Sequence, residues 1–146
     1  MQQARDAELA RLPPDDLGLV PVQLDYARAL HLTGDRAGAI AEAENALARV
    51  ERSPAPPPLL LASTLGTAGQ LDTGEGAERR IERALAILRA SPEAPRLEIA
   101  ASLTALAWFR RARNDPEGAK ALFHEALAIL RAERGEDHLL TLSLRS

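Results

Sequence analysis

Residues 115–130 read DPEGAKALFHEALAIL, and within them Ala119, Phe123, Ala126, Leu127 and Leu130 stand at steps of 0, 4, 7, 8 and 11. That spacing places five apolar side chains on one face of an α-helix, whereas a strand would need alternation at every second residue. The same five steps occur at Ala39, Ala43, Ala46, Leu47 and Val50, and again at Ala77, Ile81, Ala84, Leu85 and Leu88. The stripe is therefore written three times, at offsets of 38 and then 42 residues. In each copy small Ala alternates with larger residues, the arrangement that lets adjacent helices interdigitate at close approach. A stripe recurring at this period within one chain indicates stacked supersecondary units.

Upstream of each stripe lies a second apolar-periodic stretch and a turn. Tyr26, Ala27 and Leu30 lead to Gly34-Asp35; Leu65 and Gly66 lead to Asp72-Thr73-Gly74; Leu103, Leu106 and Ala107 lead to Asn114-Asp115-Pro116. The unit is a helix, a tight turn and a second helix. Gly34 suits the left-handed position that ends a helix, Asp35 and Asp115 can cap the helices that follow, and Pro116 is pre-set for a first helical turn. Proline-bearing segments at 54–58 and 91–95 separate one hairpin from the next. Helices are expected over 2–12, 20–33, 36–52, 58–71, 75–90, 95–113, 116–133 and 137–145. The chain then divides into a partial N-terminal helix and linker (1–19), three repeats (20–56, 57–94, 95–136) and a truncated capping helix (137–146). Leu139, Leu140, Leu142 and Leu144 are expected to pack on the third repeat.

Composition agrees with this pattern. The 29 Ala and 25 Leu outweigh only four aromatic residues, and no Asn-Gly or Asp-Gly pair separates alternating runs, so an all-α domain without a sheet is expected. The absence of Cys excludes disulfide frameworks, thiolate metal sites and cysteine nucleophiles. A net charge of −3 and a pI near 5.6 weigh against nucleic-acid and anionic-membrane roles. The first residues, MQQARDAELARLPPDD, have no apolar core of signal-peptide length, and residues 56–65 are too short and too proline-rich to span a bilayer, so a cytoplasmic location is expected. Seventeen of the 18 basic residues are Arg, which with the Ala content suggests a GC-rich bacterial genome.

The residues resemble the tetratricopeptide repeat family. Its pattern pairs Leu and a small residue on the first helix with Ala about a dozen residues on, a bulky residue four later and Ala three beyond. Tyr26-Ala27 with Ala39, Ala43 and Ala46 matches, as does Leu106-Ala107 with Ala119, Phe123 and Ala126; Leu65-Gly66 with Ala77, Ile81 and Ala84 fits with a turn one residue shorter. The 42-residue spacing and the run Arg134-Gly135-Glu136-Asp137-His138 followed by Thr141-Leu142 are similar to the longer variant found in kinesin light chains and bacterial signalling proteins. The chain departs from the family where a Trp is common early in the first helix and where a Pro usually ends the second helix of the third unit. Over residues 20–146 the resemblance implies a right-handed superhelical solenoid of antiparallel hairpins, about three full repeats with partial flanking helices. It also implies a protein- or peptide-binding scaffold, such as the sensor or adaptor segment of a larger bacterial regulator.

In that family the first helices line the concave groove. The resemblance therefore implies a groove of Leu24, Arg28 and His31, then Thr64, Thr67 and Gln70, then Thr104, Trp108 and Arg111. Trp108, the single Trp, sits one step past the Leu106-Ala107 packing pair, and it is read either as a groove anchor or as core against a neighbouring hairpin. As an anchor edged by Arg28 and Arg111 it would suit a peptide with an apolar residue and an acidic flank. The clamp for C-terminal carboxylates seen in some members is disfavoured, because Leu24, Thr64 and Ala101 or Ala105 stand where donors would be needed, and the one Lys is on another helix.

Catalytic chemistry is not expected. Asp72-Thr73-Gly74 spells the aspartic-protease signature, but it stands alone and falls in a hairpin turn, where Asp, Thr and Gly act as cap and breaker. His31, His124 and His138 have no metal-ligand spacing, and Gly66-Thr67-Ala68-Gly69 reads as close helix packing, so no metal and no cofactor is expected. The clusters Arg79-Arg80-Arg83 and Arg110-Arg111-Arg113 could attract phosphates; Glu75, Glu78 and Glu82 stand three or four residues from the first cluster, so surface pairing within the helix is the expectation. The alternative to a binding groove is an oligomerisation unit that self-associates through its end repeats.

Overall fold

The computed structural model describes residues 16–72 and 74–134. Among them regular structure is entirely helical: a 3-10 turn at Leu17–Leu19, then α1 (Val20–Leu32), α2 (Arg36–Glu51), α3 (Pro58–Leu71), α4 (Glu75–Ala90), α5 (Arg96–Ala112) and α6 (Pro116–Arg134). The six helices expected between residues 20 and 133 are all present, with ends within one residue of expectation. The segments read as 2–12 and 137–145 lie outside the described residues, and with them the expected cap at Leu139, Leu140, Leu142 and Leu144.

The turns explain the accuracy of the helix ends. After α1, the Gly34 amide donates to the His31 carbonyl at 3.1 Å and the Asp35 amide to the Leu30 carbonyl at 2.8 Å. After α5, Asn114 donates to Arg111 at 3.0 Å and Asp115 to Arg110 at 2.9 Å, so the same paired closure is built twice. The turning residue has positive φ in both, +94° at Gly34 and 62° at Asn114, a conformation that Gly adopts freely and Asn tolerates. Asp35 and Asp115 then cap the next helices, accepting from the amides of Gly38 at 2.9 Å and Gly118 at 3.0 Å. In the middle hairpin Asp72 accepts from the Gly74 amide at 3.1 Å, so the carboxylate of the protease-like triplet is engaged as a turn former.

By packing the chain divides into two units, residues 1–84 and 85–146, with the boundary inside α4. In the first unit α1 and α2 form a hairpin and α3 lies against both. Ala27, Ala39, Ala43, Ala68 and Leu71 make one buried cluster, with Leu30 and Ile40 packed on it. Helix α3 has no charged residue, and nine of its 14 residues are buried, so it has almost no free face. Close approach within this unit depends on Gly69, where a Cβ would sit 2.8 Å from the Ala77 carbonyl oxygen of α4. Gly66 is different: it is buried, but a Cβ there would meet nothing within 4 Å, so only half of the glycine pair serves tight packing.

Three arginines of α4 pair with acids of other helices. Arg80 grips Glu44 of α2 through both terminal guanidinium nitrogens, one of the two bonds at 2.8 Å, and Arg83 reaches Glu51 of α2 at 3.3 Å. The hydrogen bond to Glu44 holds the Arg80 guanidinium above its ordinary pKa, against the opposing effect of partial burial. For these two residues surface pairing is present and reaches acids of α2, the neighbouring helix. In the second unit α5 packs on α6, Arg89 of α4 pairs with Glu125, and Arg96 lies 3.5 Å from Glu133.

The stripe is fully buried on α2 and α4, from Ala39 to Val50 and from Ala77 to Leu88. On α6, Ala119 and Ala126 are buried, Phe123 and Leu130 are half-buried, and Leu127 is 42% exposed. The third copy is thus open along part of its length.

Two pairs of substitutions test this packing. Gly66→Ala should stabilise the protein by about 0.5–1 kcal/mol, because it removes a flexible residue from a helix interior with room for a methyl. Gly69→Ala should instead cost about 1–3 kcal/mol through overpacking. Ala84→Leu and Ala126→Leu, at buried small positions of the stripe, should each cost a similar 1–3 kcal/mol or so. Urea or thermal unfolding reads all four; a Gly69→Ala protein as stable as Gly66→Ala would contradict the close α3–α4 approach.

Candidate docking surface on the third hairpin

The residues read as a groove separate into buried and exposed sets. In the first unit Leu24, Thr64 and Thr67 are buried at 5% exposure or less, so their side chains are not offered to a partner. Their placement follows from the covered faces of α3 and from helix-local bonding: the Thr64 hydroxyl donates to the Leu60 carbonyl at 2.7 Å. Arg28 closes over this region. It donates to Thr67 Oγ1 at 2.8 Å and to Asp25 at 3.0 Å, which ties α1 to α3. His31 and Gln70 are exposed.

In the second unit Thr104 is half-buried, with its hydroxyl donating to the Ala100 carbonyl at 2.9 Å. Four residues on, Trp108 is 54% exposed, although Leu106 and Ala107 beside it are buried. The 3.6-residue turn accounts for this, since one step past the packing pair rotates the side chain off the core stripe. Of the two readings of Trp108, the core one is excluded by this exposure. The indole is nevertheless held. Phe123 of α6 meets it edge to face with ring centroids 5.6 Å apart and planes at 84°, and the Arg111 guanidinium carbon lies 5.2 Å from the indole centroid. Such contacts contribute about 0.5–1.5 kcal/mol each, enough to bias the indole to one orientation.

Arg111 and Phe123 also line an open cleft of about 340 Å³ on the same hairpin. Its floor is Pro116, Ala119, Phe123 and Leu127, nearly all apolar surface, while Arg111, Lys120 and His124 supply its polar atoms. The volume falls in the range of ligand-binding clefts, about 300–1,000 Å³. Trp108 touches two residues of the cleft, Phe123 and Arg111, so the indole stands beside it.

The resemblance puts Trp108 and Arg111 in a groove of first helices, not in this cleft; Phe123 and Leu127 belong to the packing stripe in that reading, and Lys120 lies on another helix. The available signal was size: Phe123 stands where α2 has Ala43 and α4 has Ile81. Among the described residues no group of three or more acidic or histidine side chains could hold a metal ion, and no helix is long and apolar enough to cross a membrane. No family model, curated protein or solved structure matches the chain.

The exposure of Trp108 has a measurable consequence. Trp108→Ala should destabilise the protein by only about 1–2.5 kcal/mol, the combined worth of the Phe123 and Arg111 contacts. A core indole would cost about 3–5 kcal/mol. Chemical unfolding followed by circular dichroism separates the two values, and quenching of the wild-type emission by acrylamide should be efficient in the native state.

Proposed function

We propose that this chain is a protein- or peptide-binding module of stacked helix hairpins, resembling the tetratricopeptide repeats, and that it works without catalysis as the sensor or adaptor segment of a larger cytoplasmic bacterial regulator. The observation that carries the reading is the exposed, oriented Trp108 at the edge of an apolar cleft. Interfaces concentrate their energy in Trp, Tyr and Arg side chains that become desolvated on binding, and Trp108 with Arg111 supplies such a pair in advance of any partner. Orientation before binding lowers the entropy cost of association.

Groups that could have served chemistry have structural work instead. Asp35 and Asp115 are helix caps, Asp72 holds a turn, and the hydroxyls of Thr64 and Thr104 bond to carbonyls of their own helices. The recognition surface is accordingly assigned to α5 and α6, and the buried Leu24, Thr64 and Thr67 are left out of it.

Panning a random peptide display library on the immobilised chain, with counter-selection on Trp108→Ala, tests the reading. Sequences should be enriched on the parent and lost on the variant; enrichment that is equal on both, or none at all, would contradict it. A second reading, self-association through an end helix, is favoured by the 42% exposure of Leu127 on α6. Sedimentation velocity at micromolar concentration distinguishes the two, with a single species near 15.7 kDa expected for the binding module and a dimer for its rival.

A further inference from the structure

The cleft on α6 occupies positions that elsewhere in the chain receive a helix. On α2, Ala39 and Ala43 join Ala27 and Leu30 of α1, their partners in the hairpin, and also Ala68 and Leu71 of α3, the next helix along the chain. Ala119, Phe123 and Leu127 stand at the same steps of the stripe as Ala39, Ala43 and Leu47. Leu47 and its α4 counterpart Leu85 are 4% and 6% exposed, against 42% for Leu127. The α6 stripe therefore keeps the side that faces its own hairpin partner and leaves open the side that takes a following helix.

Charge says more about the occupant. Arg111, Lys120 and His124 line the cleft, and no Asp or Glu does. Arg111 stacks on Trp108, and neither it nor Lys120 is ion-paired with a described carboxylate. Glu125, next to His124 in sequence, is engaged by Arg89. An apolar floor with a rim of one sign selects a ligand that is apolar on one face and acidic beside it.

We propose that this cleft seats an amphipathic helix of a partner protein, whose Leu and Ala stripe packs on Ala119, Phe123 and Leu127 while its Glu or Asp flank meets Arg111 and Lys120. The proposal rests on the binding-module reading and adds the partner's chemistry and the mode of docking, helix in groove. A helix fits better than an extended peptide because the same stripe on α2 already accommodates α3 with small residues at the crossing. Trp108, through Phe123 and Arg111, lies where it would report the seating.

The test uses the full chain and two synthetic peptides, each an acetylated and amidated leucine–alanine helix, one flanked by glutamates and the other by lysines. Titrating each against Trp108 emission should give saturable binding of the glutamate peptide, at least about tenfold tighter than the lysine peptide and weakening with added salt. Lys120→Glu, an exposed change whose helical content is checked by circular dichroism, should erase that preference. Equal affinity for the two peptides, or a preference unchanged by Lys120→Glu, overturns the proposal. Binding that appears only after residues 135–146 are removed also overturns it, and assigns the cleft to the chain's own end. Failure of the glutamate peptide while panning still yields Trp108-dependent binders would sink this proposal and spare the binding-module reading; failure of both would sink the two together.

Discussion

The close approach of helices at alanine and glycine positions is the constraint on which the structure depends. Ala39, Ala43, Ala77, Ala84, Ala119 and Ala126 are all buried, and Gly69 faces the Ala77 carbonyl at a distance no side chain would permit. Small residues let helix backbones come near enough for Leu and Ile to fill the grooves between ridges. A chain with four aromatic residues has little other means of filling a core, so packing must rest on many short contacts. Interhelix ion pairs such as Arg80–Glu44 and Arg83–Glu51 are partly exposed and add little to the strength of these contacts.

Helix existence and extent were legible in the sequence because each boundary carries its own chemistry. Gly34 with Asp35, Asn114 with Asp115 and Pro116, and the prolines before α3 and α5 leave the backbone few other choices. The side chains of the groove were less legible. A helical spacing locates a face but not what covers it, so Leu24, Thr64 and Thr67 read as lining when they are buried. One signal was available: residues 58–71 contain no charge, and a helix without a charged face is commonly enclosed on several sides. The partners of Arg80 and Arg83 were also out of reach, because sequence displays neighbours three and four residues away and not those on the next helix.

Trp108 was the residue on which the spacing was most useful. One step beyond Leu106-Ala107 is enough to bring an indole out of the core, and Phe123 with Arg111 then fixes it at the surface. The cleft beside it was missed because the stripe looks alike in all three copies when written as sequence, and only packing distinguishes a covered copy from an open one. The largest difference among the copies, Phe123 in place of Ala43 or Ile81, coincides with the open one. A large ring there supplies apolar surface to the cleft that a smaller residue would not.

Solvent exposure of the three equivalent leucines is the direct test of two stripes covered and one open. With leucine methyls isotopically labelled, a soluble paramagnetic agent should relax the Leu127 signals several-fold faster than those of Leu47 and Leu85, which are buried at the same step of their helices. Equal protection of all three would mean that the α6 stripe is already covered in the free protein, and would contradict the existence of an open helix seat.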